Sequence, residues 1–180
     1  MVYVFLAEGF EEIEALTQID LLRRADINIT SVGVGGLFIK GAHGIEVKCD
    51  KTIDDVDCRE ADMLILPGGM PGVTNLYNNI KLCDIISFHA EKGTVIGAIC
   101  AAPIILGRLG LSSGRMMTCY PGFENELKGS EFTKDGVVVD GSFITAKSAG
   151  FALDFSFELI TALKGKQVAK KVFDGIYYDR

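Results

Sequence analysis

The chain has 180 residues, of which 48% are hydrophobic, and a net charge of −6 with acidic and basic residues interspersed. That length suits a single domain spanning residues 1–180 and affords a sizeable core. With no basic stripe or like-charge run, nucleic acid is excluded as the main partner.

Residues 2–6 (VYVFL) read as a buried strand, and no basic targeting segment precedes it. Phe10 to Ala25 reads as a helix whose apolar stripe is Ile13, Leu16, Ile19 and Leu22, widened by Phe10, Leu21 and Ala25. Glu11, Glu12 and Glu14 fall in its first turns, where carboxylates favour the positive end of the helix dipole. Residues 27–34 alternate like a second strand, and residues 45–49 (IEVKC) suggest a short strand near a sheet edge.

Met63 to Leu66 is an apolar strand running into Pro67-Gly68-Gly69, with helical segments over roughly 74–92. Thr94 to Ile99 is another buried strand, and Ala101 to Leu109 is helical with Pro103 tolerated in its first turn. The longest apolar run, Val95 to Leu106, is interrupted by Gly97 and Pro103 and falls short of the ~20 residues that span a bilayer. No membrane partner is expected, and a cytoplasmic location is. Residues 115–119 read as a strand, Val137–Val139 and Phe143–Ala146 as a hairpin around Asp140-Gly141. Helices over 149–163 and 167–173 close the chain. Alternating strands and helices predict an α/β sandwich on a mostly parallel sheet.

Cys49, Cys58, Cys83, Cys100 and Cys119 are odd in number, widely spaced and form no CxxC pair. Zinc and thioredoxin-like sites are therefore disfavoured, and free thiols are expected. Cys58 and Cys83 read as surface or helix-packing residues, Cys49 as part of an edge or interface strand. The strongest local signal is Gly97-Ala-Ile-Cys100-Ala101-Ala-Pro103. A strand ends and a helix begins, with small residues flanking the cysteine, as a sharp nucleophile elbow requires. A helix start lowers a thiol pKa and offers N–H groups to an oxyanion. The motif equally fits a small, inert core cysteine.

Gly68-Gly69 also ends a strand. It fits an ordinary turn, or a backbone approaching a ligand with an N–H to donate. Both motifs fall at the C-terminal edge of a parallel sheet, where α/β proteins bind ligands. Glu11 and Glu12 read as solvated carboxylates. Glu14 sits at the margin of the apolar stripe, and reads either as a surface charge or as a partly buried carboxyl of raised pKa. His89 lies in a polar helical segment and reads as surface; His43 lies in a glycine-rich loop and reads as structural. A Cys–His protease pair is thereby disfavoured. Cys119, beside Tyr120-Pro121, ends a strand that approaches the same edge.

Five segments, AEGFEEIE (7–14), DLLRRA (20–25), LPGG (66–69), AICAAP (98–103) and TCYP (118–121), together resemble the ThiJ/PfpI superfamily in order and spacing. The nearest branch is that of the human parkinsonism-associated protein deglycase and its bacterial relatives. The resemblance implies a flavodoxin-like three-layer sandwich and a homodimer. It makes Cys100 the reactive cysteine, Glu14 its protonated carboxyl partner, and the Gly69 and Ala101 N–H groups the oxyanion donors. It places Gly68, Cys119, Tyr120 and Ala149 around the substrate, and Arg24 near the dimer interface. The implied activities are cofactor-independent glyoxalase III or deglycase chemistry on small aldehydes or glycated substrates, oxidative-stress sensing, and redox-regulated chaperoning. An older family label is thiamine (thiazole monophosphate) biosynthesis. The sequence departs from the branch at Tyr120, where histidine is common, at His43-Gly44, where an anion-binding arginine is replaced, and at Ala149, where proline is common.

Overall fold

The computed structural model describes residues 1–178. In chain order the elements are β1 (Val2–Ala7), α1 (Glu12–Arg24), β2 (Ile29–Val34), β3 (Phe38–Lys40), β4 (Glu46–Lys48), β5 (Lys51–Thr52), β6 (Met63–Leu66), α2 (Gly72–Tyr77), α3 (Ile80–Lys92) and β7 (Val95–Ile99). They continue as α4 (Pro103–Arg108), β8 (Met116–Met117), β9 (Glu131–Phe132), β10 (Val137–Asp140), β11 (Phe143–Ala146), α5 (Ala152–Lys164) and α6 (Lys166–Gly175).

Seven strands form the central sheet in the order β10-β11-β7-β6-β1-β2-β5. All pairings in it are parallel except β10 with β11, the hairpin expected around Asp140-Gly141. Strand alternation divides the core in two. Val2, Val4 and Leu6 of β1 face Leu22 of α1, Phe155 and Leu159 of α5 and Phe173 of α6. Tyr3, Phe5 and Ala7 face Val73 and Leu76 of α2, Leu82 and Ile86 of α3, and Ile104 and Ile105 of α4. Because apolar side chains leave both faces of a buried parallel sheet, helices must cover both, which gives the three-layer, flavodoxin-like α/β sandwich.

From β1 the chain turns one way to β2 and later the other way to β6 and β7. The carboxyl ends of β1 and β6 thus flank a switch point, the place in such sheets where a crevice opens.

Several local expectations need correction. On α1, Ile13 (56% exposed) and Leu16 (37%) face outward, whereas Glu14 and Gln18 are fully buried. Gln18 is satisfied there: its amide donates to the Ala152 carbonyl at 3.2 Å and its oxygen accepts from Ser156 Oγ at 2.5 Å. The strand expected over 115–119 shrinks to β8, paired only with β9. The 45–49 strand pairs with β3 in a ribbon apart from the main sheet, whose edge is β5. His89 is buried, with Nε2 2.7 Å from the Cys58 carbonyl and Nδ1 2.9 Å from Thr94 Oγ1. Burial holds its pKa below the usual imidazole range, against the pull of the Cys58 carbonyl. Glu12 and Cys58 are buried as well.

Candidate functional site

Four strand ends contribute to one place. After β1 the chain enters α1 and delivers Glu14; after β6 comes Gly68-Gly69; after β7 comes Cys100; after β11 comes Ala149. Cys100 has φ +65°, a left-handed conformation that a residue with a side chain adopts at a cost. Hydrogen bonds hold it on both sides. Its N–H donates to the Ala146 carbonyl at 2.8 Å, and its carbonyl accepts from Tyr120 N–H at 2.7 Å. The sharp bend expected at Cys100 is therefore present. The helix that follows begins only at Pro103.

Glu14 is fully buried against this bend. Gly68 N–H donates to its Oε2 at 2.8 Å. Oε1 has no close hydrogen-bond partner among the described residues. Burial is the largest influence on this carboxyl and raises its pKa to about 7. The nearby Cys100 thiol, the Gly68 N–H bond and the Ala149 backbone oppose the rise, and the charge of Glu11 adds to it.

The expectation of a lowered thiol pKa is overturned. Burial pushes Cys100 up to about 12, and the negative charge of Glu14 adds to the rise. The N–H groups of Ala101 and Gly69 act in the opposite direction but are outweighed. The two groups titrate as a unit that holds one proton between about 7 and about 12. Loss of that proton from sulfur to the carboxylate makes a thiolate without any change in the pair's net charge.

Both glycines are required by space. Gly68 lies so close that a β-carbon on it would meet Glu14 Oε2 at 2.5 Å and Cys100 Cβ at 2.6 Å. Gly69, at φ +91°, packs on the backbone of Phe10 and Glu11, where a β-carbon would overlap. That close approach brings the Gly69 N–H toward the Cys100 sulfur.

The remaining expected site residues separate. Ala149 acts on Glu14 through its backbone. Tyr120 anchors Cys100 by its own N–H, while its half-exposed ring tilts against Phe123 at 6.4 Å between centroids. Cys119 is fully buried, and burial pushes its thiol up to about 12. Cys49 is buried beside Gly33, its thiol raised by burial to about 11. Arg24 ends α1, far along the helix from Glu14, and its Nε donates to Asp20 Oδ2 at 2.8 Å.

One feature had no signal in sequence spacing. Glu12 accepts from the N–H groups of His43 (2.8 Å) and Ile45 (3.3 Å), and its Oε2 lies 3.0 Å from His43 Nδ1. The same nitrogen is 3.6 Å from Glu11 Oε2. Burial works against the Glu12 charge, yet these hydrogen bonds, led by the His43 side chain, bring its pKa below the usual range. The hydrogen bond to Glu12 and the charge of Glu11 raise His43 in turn. The ligand atoms of Glu11, Glu12 and His43 lie within 4.8 Å of one another, the one such His/Cys/carboxylate group among the described residues. His43 Nδ1 faces both carboxylates, closer to Glu12 than to Glu11. No helix among the described residues is long and apolar enough to cross a membrane.

Residues 1–162 match the family model described as DJ-1/PfpI family. The chain is 33% identical to Protein dj-1beta of Drosophila melanogaster over 176 residues, covering 96% of this chain and 94% of that one. It is 28% identical to the Parkinson disease protein 7 homolog of Danio rerio over 174 residues, 94% and 92% of the two chains. It also covers 43% of the longer DJ-1 homolog A of Arabidopsis thaliana at 32% identity. Among solved structures, oxidized DJ-1 of Toxoplasma gondii superposes with a TM-score of 0.95 at 32% identity, covering 99% of this chain and 98% of that one. With its fold, its motif order and these matches in agreement, the chain belongs to the DJ-1/PfpI family.

Proposed function

We propose that the chain is a cysteine-dependent enzyme that handles reactive 2-oxoaldehydes, or their adducts on proteins, without metal or organic cofactor. The observation that carries this reading is the Cys100–Glu14 pair itself, a buried carboxyl able to take the thiol proton, beside two N–H groups directed at the sulfur. Proton transfer to Glu14 frees a thiolate, which adds to the aldehyde carbon. The carbonyl oxygen becomes an alkoxide held by Gly69 and Ala101 N–H and takes the proton back from Glu14. Glu14, again a carboxylate, then removes the hydrogen from the former aldehyde carbon. The enediol is reprotonated at the neighbouring carbon, which leaves a thioester on Cys100. Water hydrolyses it to the 2-hydroxy acid and restores the thiol. One carbon is oxidised and its neighbour reduced, so no external oxidant is needed.

Lactate formation from methylglyoxal tests the reading. Wild type is expected to turn over, Cys100→Ser to be inactive, and Glu14→Gln to fall by about a hundredfold or more, the usual worth of a general acid–base. Equal turnover in all three overturns it.

A second reading, oxidative-stress sensing, is favoured by one neighbour: the Toxoplasma gondii relative is described as oxidized. Oxygens added to Cys100 would meet the same N–H groups and the Glu14 carboxyl. Limited peroxide followed by mass spectrometry would then find two oxygens on Cys100 ahead of the other four cysteines, with no aldehyde turnover. A chaperone role, by contrast, would survive Cys100→Ala. Self-association into a homodimer has its support in exposed Ile13 and Leu16 on α1 and exposed Phe38 and Ile45 on and beside the abutting β3–β4 ribbon. Ile13→Asp is expected to shift the sedimenting species from dimer to monomer.

A further inference from the structure

We propose that Glu11 makes the Cys100 site a charge filter, admitting neutral and cationic electrophiles and turning away anionic ones such as 2-oxo acids. The inference rests on the carbonyl reading for its substrate class, and on geometry for the filter. Glu11 is built into the turn beside the site: its N–H donates to the Gly68 carbonyl at 2.9 Å, and Gly69 packs directly on its backbone. The turn that presents an N–H to the sulfur is therefore the turn that carries Glu11. Its side chain is mostly covered, at 18% exposure, so its field is screened less than that of a free surface charge.

The cations nearby do not fully offset it. His43 is the near one, and its Nδ1 is closer to Glu12 (3.0 Å) than to Glu11 (3.6 Å). One imidazolium thus serves two carboxylates, and the cluster keeps a net negative charge even when His43 is protonated. Lys147 follows β11 on the same edge, but its Nζ donates to the Lys134 carbonyl at 3.3 Å. The charge outside the pair that bears on Glu14 is that of Glu11, and it is negative. An arriving carboxylate would meet Glu11 and the negative Cys100–Glu14 pair together, whereas an uncharged aldehyde meets only the N–H donors.

Paired thiosulfonate reagents of opposite charge test this without requiring turnover. In each, the Cys100 thiolate attacks the sulfenyl sulfur, a mixed disulfide forms and methanesulfinate leaves; only the tail differs, trimethylammonium or sulfonate. Labelling of Cys100 is followed by mass spectrometry at low and high salt, with free cysteine as reference. Relative to free cysteine, wild type is expected to prefer the cationic reagent by about tenfold or more at low salt, and by less at high salt. Glu11→Gln should lose most of that preference. Glu60→Gln, at an exposed site beside the opposite edge of the sheet, should keep it. A wild-type preference equal to that of free cysteine, a preference unmoved by Glu11→Gln, or no labelling by either reagent overturns the proposal. A charge preference that stands while methylglyoxal is not turned over would sink the carbonyl reading and leave the filter intact.

Discussion

Gly68 and Glu14 are bound in two ways at once: the glycine N–H donates to Glu14 Oε2 at 2.8 Å, and the missing glycine side chain makes the room that oxygen occupies. A β-carbon there would sit 2.5 Å from the carboxylate and 2.6 Å from Cys100 Cβ, with neither neighbour free to retreat. Gly68→Ala is therefore expected to cost about 1–3 kcal/mol by overpacking and to displace the carboxyl from the thiol. Urea unfolding reads the first effect. Slower, less pH-dependent alkylation of Cys100 reads the second. An alanine variant with wild-type midpoint and wild-type alkylation would contradict this packing.

Stability should carry the signature of Glu14. The folded chain raises this carboxyl from about 4.5 to about 7, so the folded state holds its proton more tightly than the unfolded chain does. The contribution is fully present below about 4.5 and is lost as pH rises through about 7, with a size of about 3 kcal/mol. Glu14→Gln, which cannot ionise, should remove that slope and leave the variant relatively more stable at pH 8 than at pH 5. Midpoints of urea unfolding across this range provide the check.

The reactivity of Cys100 should follow the same pair. Alkylation by iodoacetamide is expected to rise as the first proton leaves near pH 7, to level off, and to rise again toward pH 12. In Glu14→Gln the step near pH 7 disappears, because no carboxylate remains to accept the thiol proton. If the step near pH 7 persists in that variant, the carboxyl is not its source.

The clamp between His43 and Glu12 predicts a window of its own. Glu12, with its pKa lowered, contributes stability above its ordinary value near 4.5 and loses it as pH falls further. His43, with its pKa raised, contributes below 6.5 and loses that contribution as pH rises through its folded value. His43→Gln should thus lower the thermal midpoint more at pH 6 than at pH 9. Equal losses at both would mean the imidazole acts through shape rather than charge.

Much of the frame is readable from apolar runs alone. β1 and β6 are short, uninterrupted hydrophobic stretches, β7 is broken only by Gly97, and Met63–Leu66 is bounded in sequence as it is in space. Cys100 and Gly68-Gly69 are legible because small residues follow those runs directly. The face of α1 was not legible, for a physical reason. A helix that covers a sheet end bearing a polar site must turn some polar residues inward, so Glu14 and Gln18 take positions that periodicity would give to Ile13 and Leu16. The surroundings of His89 in sequence are polar, yet its partners, the Cys58 carbonyl and Thr94 Oγ1, come from outside its helix, so no local pattern marks it as buried. The helix-start motif points the thiol pKa downward because a dipole argument omits the burial that dominates it.

Cys100, Glu14 and Gly68 arrive from three strands whose parallel pairing needs long crossovers, so no short fragment of the chain contains the site. Such non-local pairing forms slowly. During refolding Cys100 should first behave as an ordinary cysteine and acquire its distinctive proton sharing only when β1, β6 and β7 have docked. A brief pulse of alkylating reagent at successive times would make this thiol a timer for completion of the sheet.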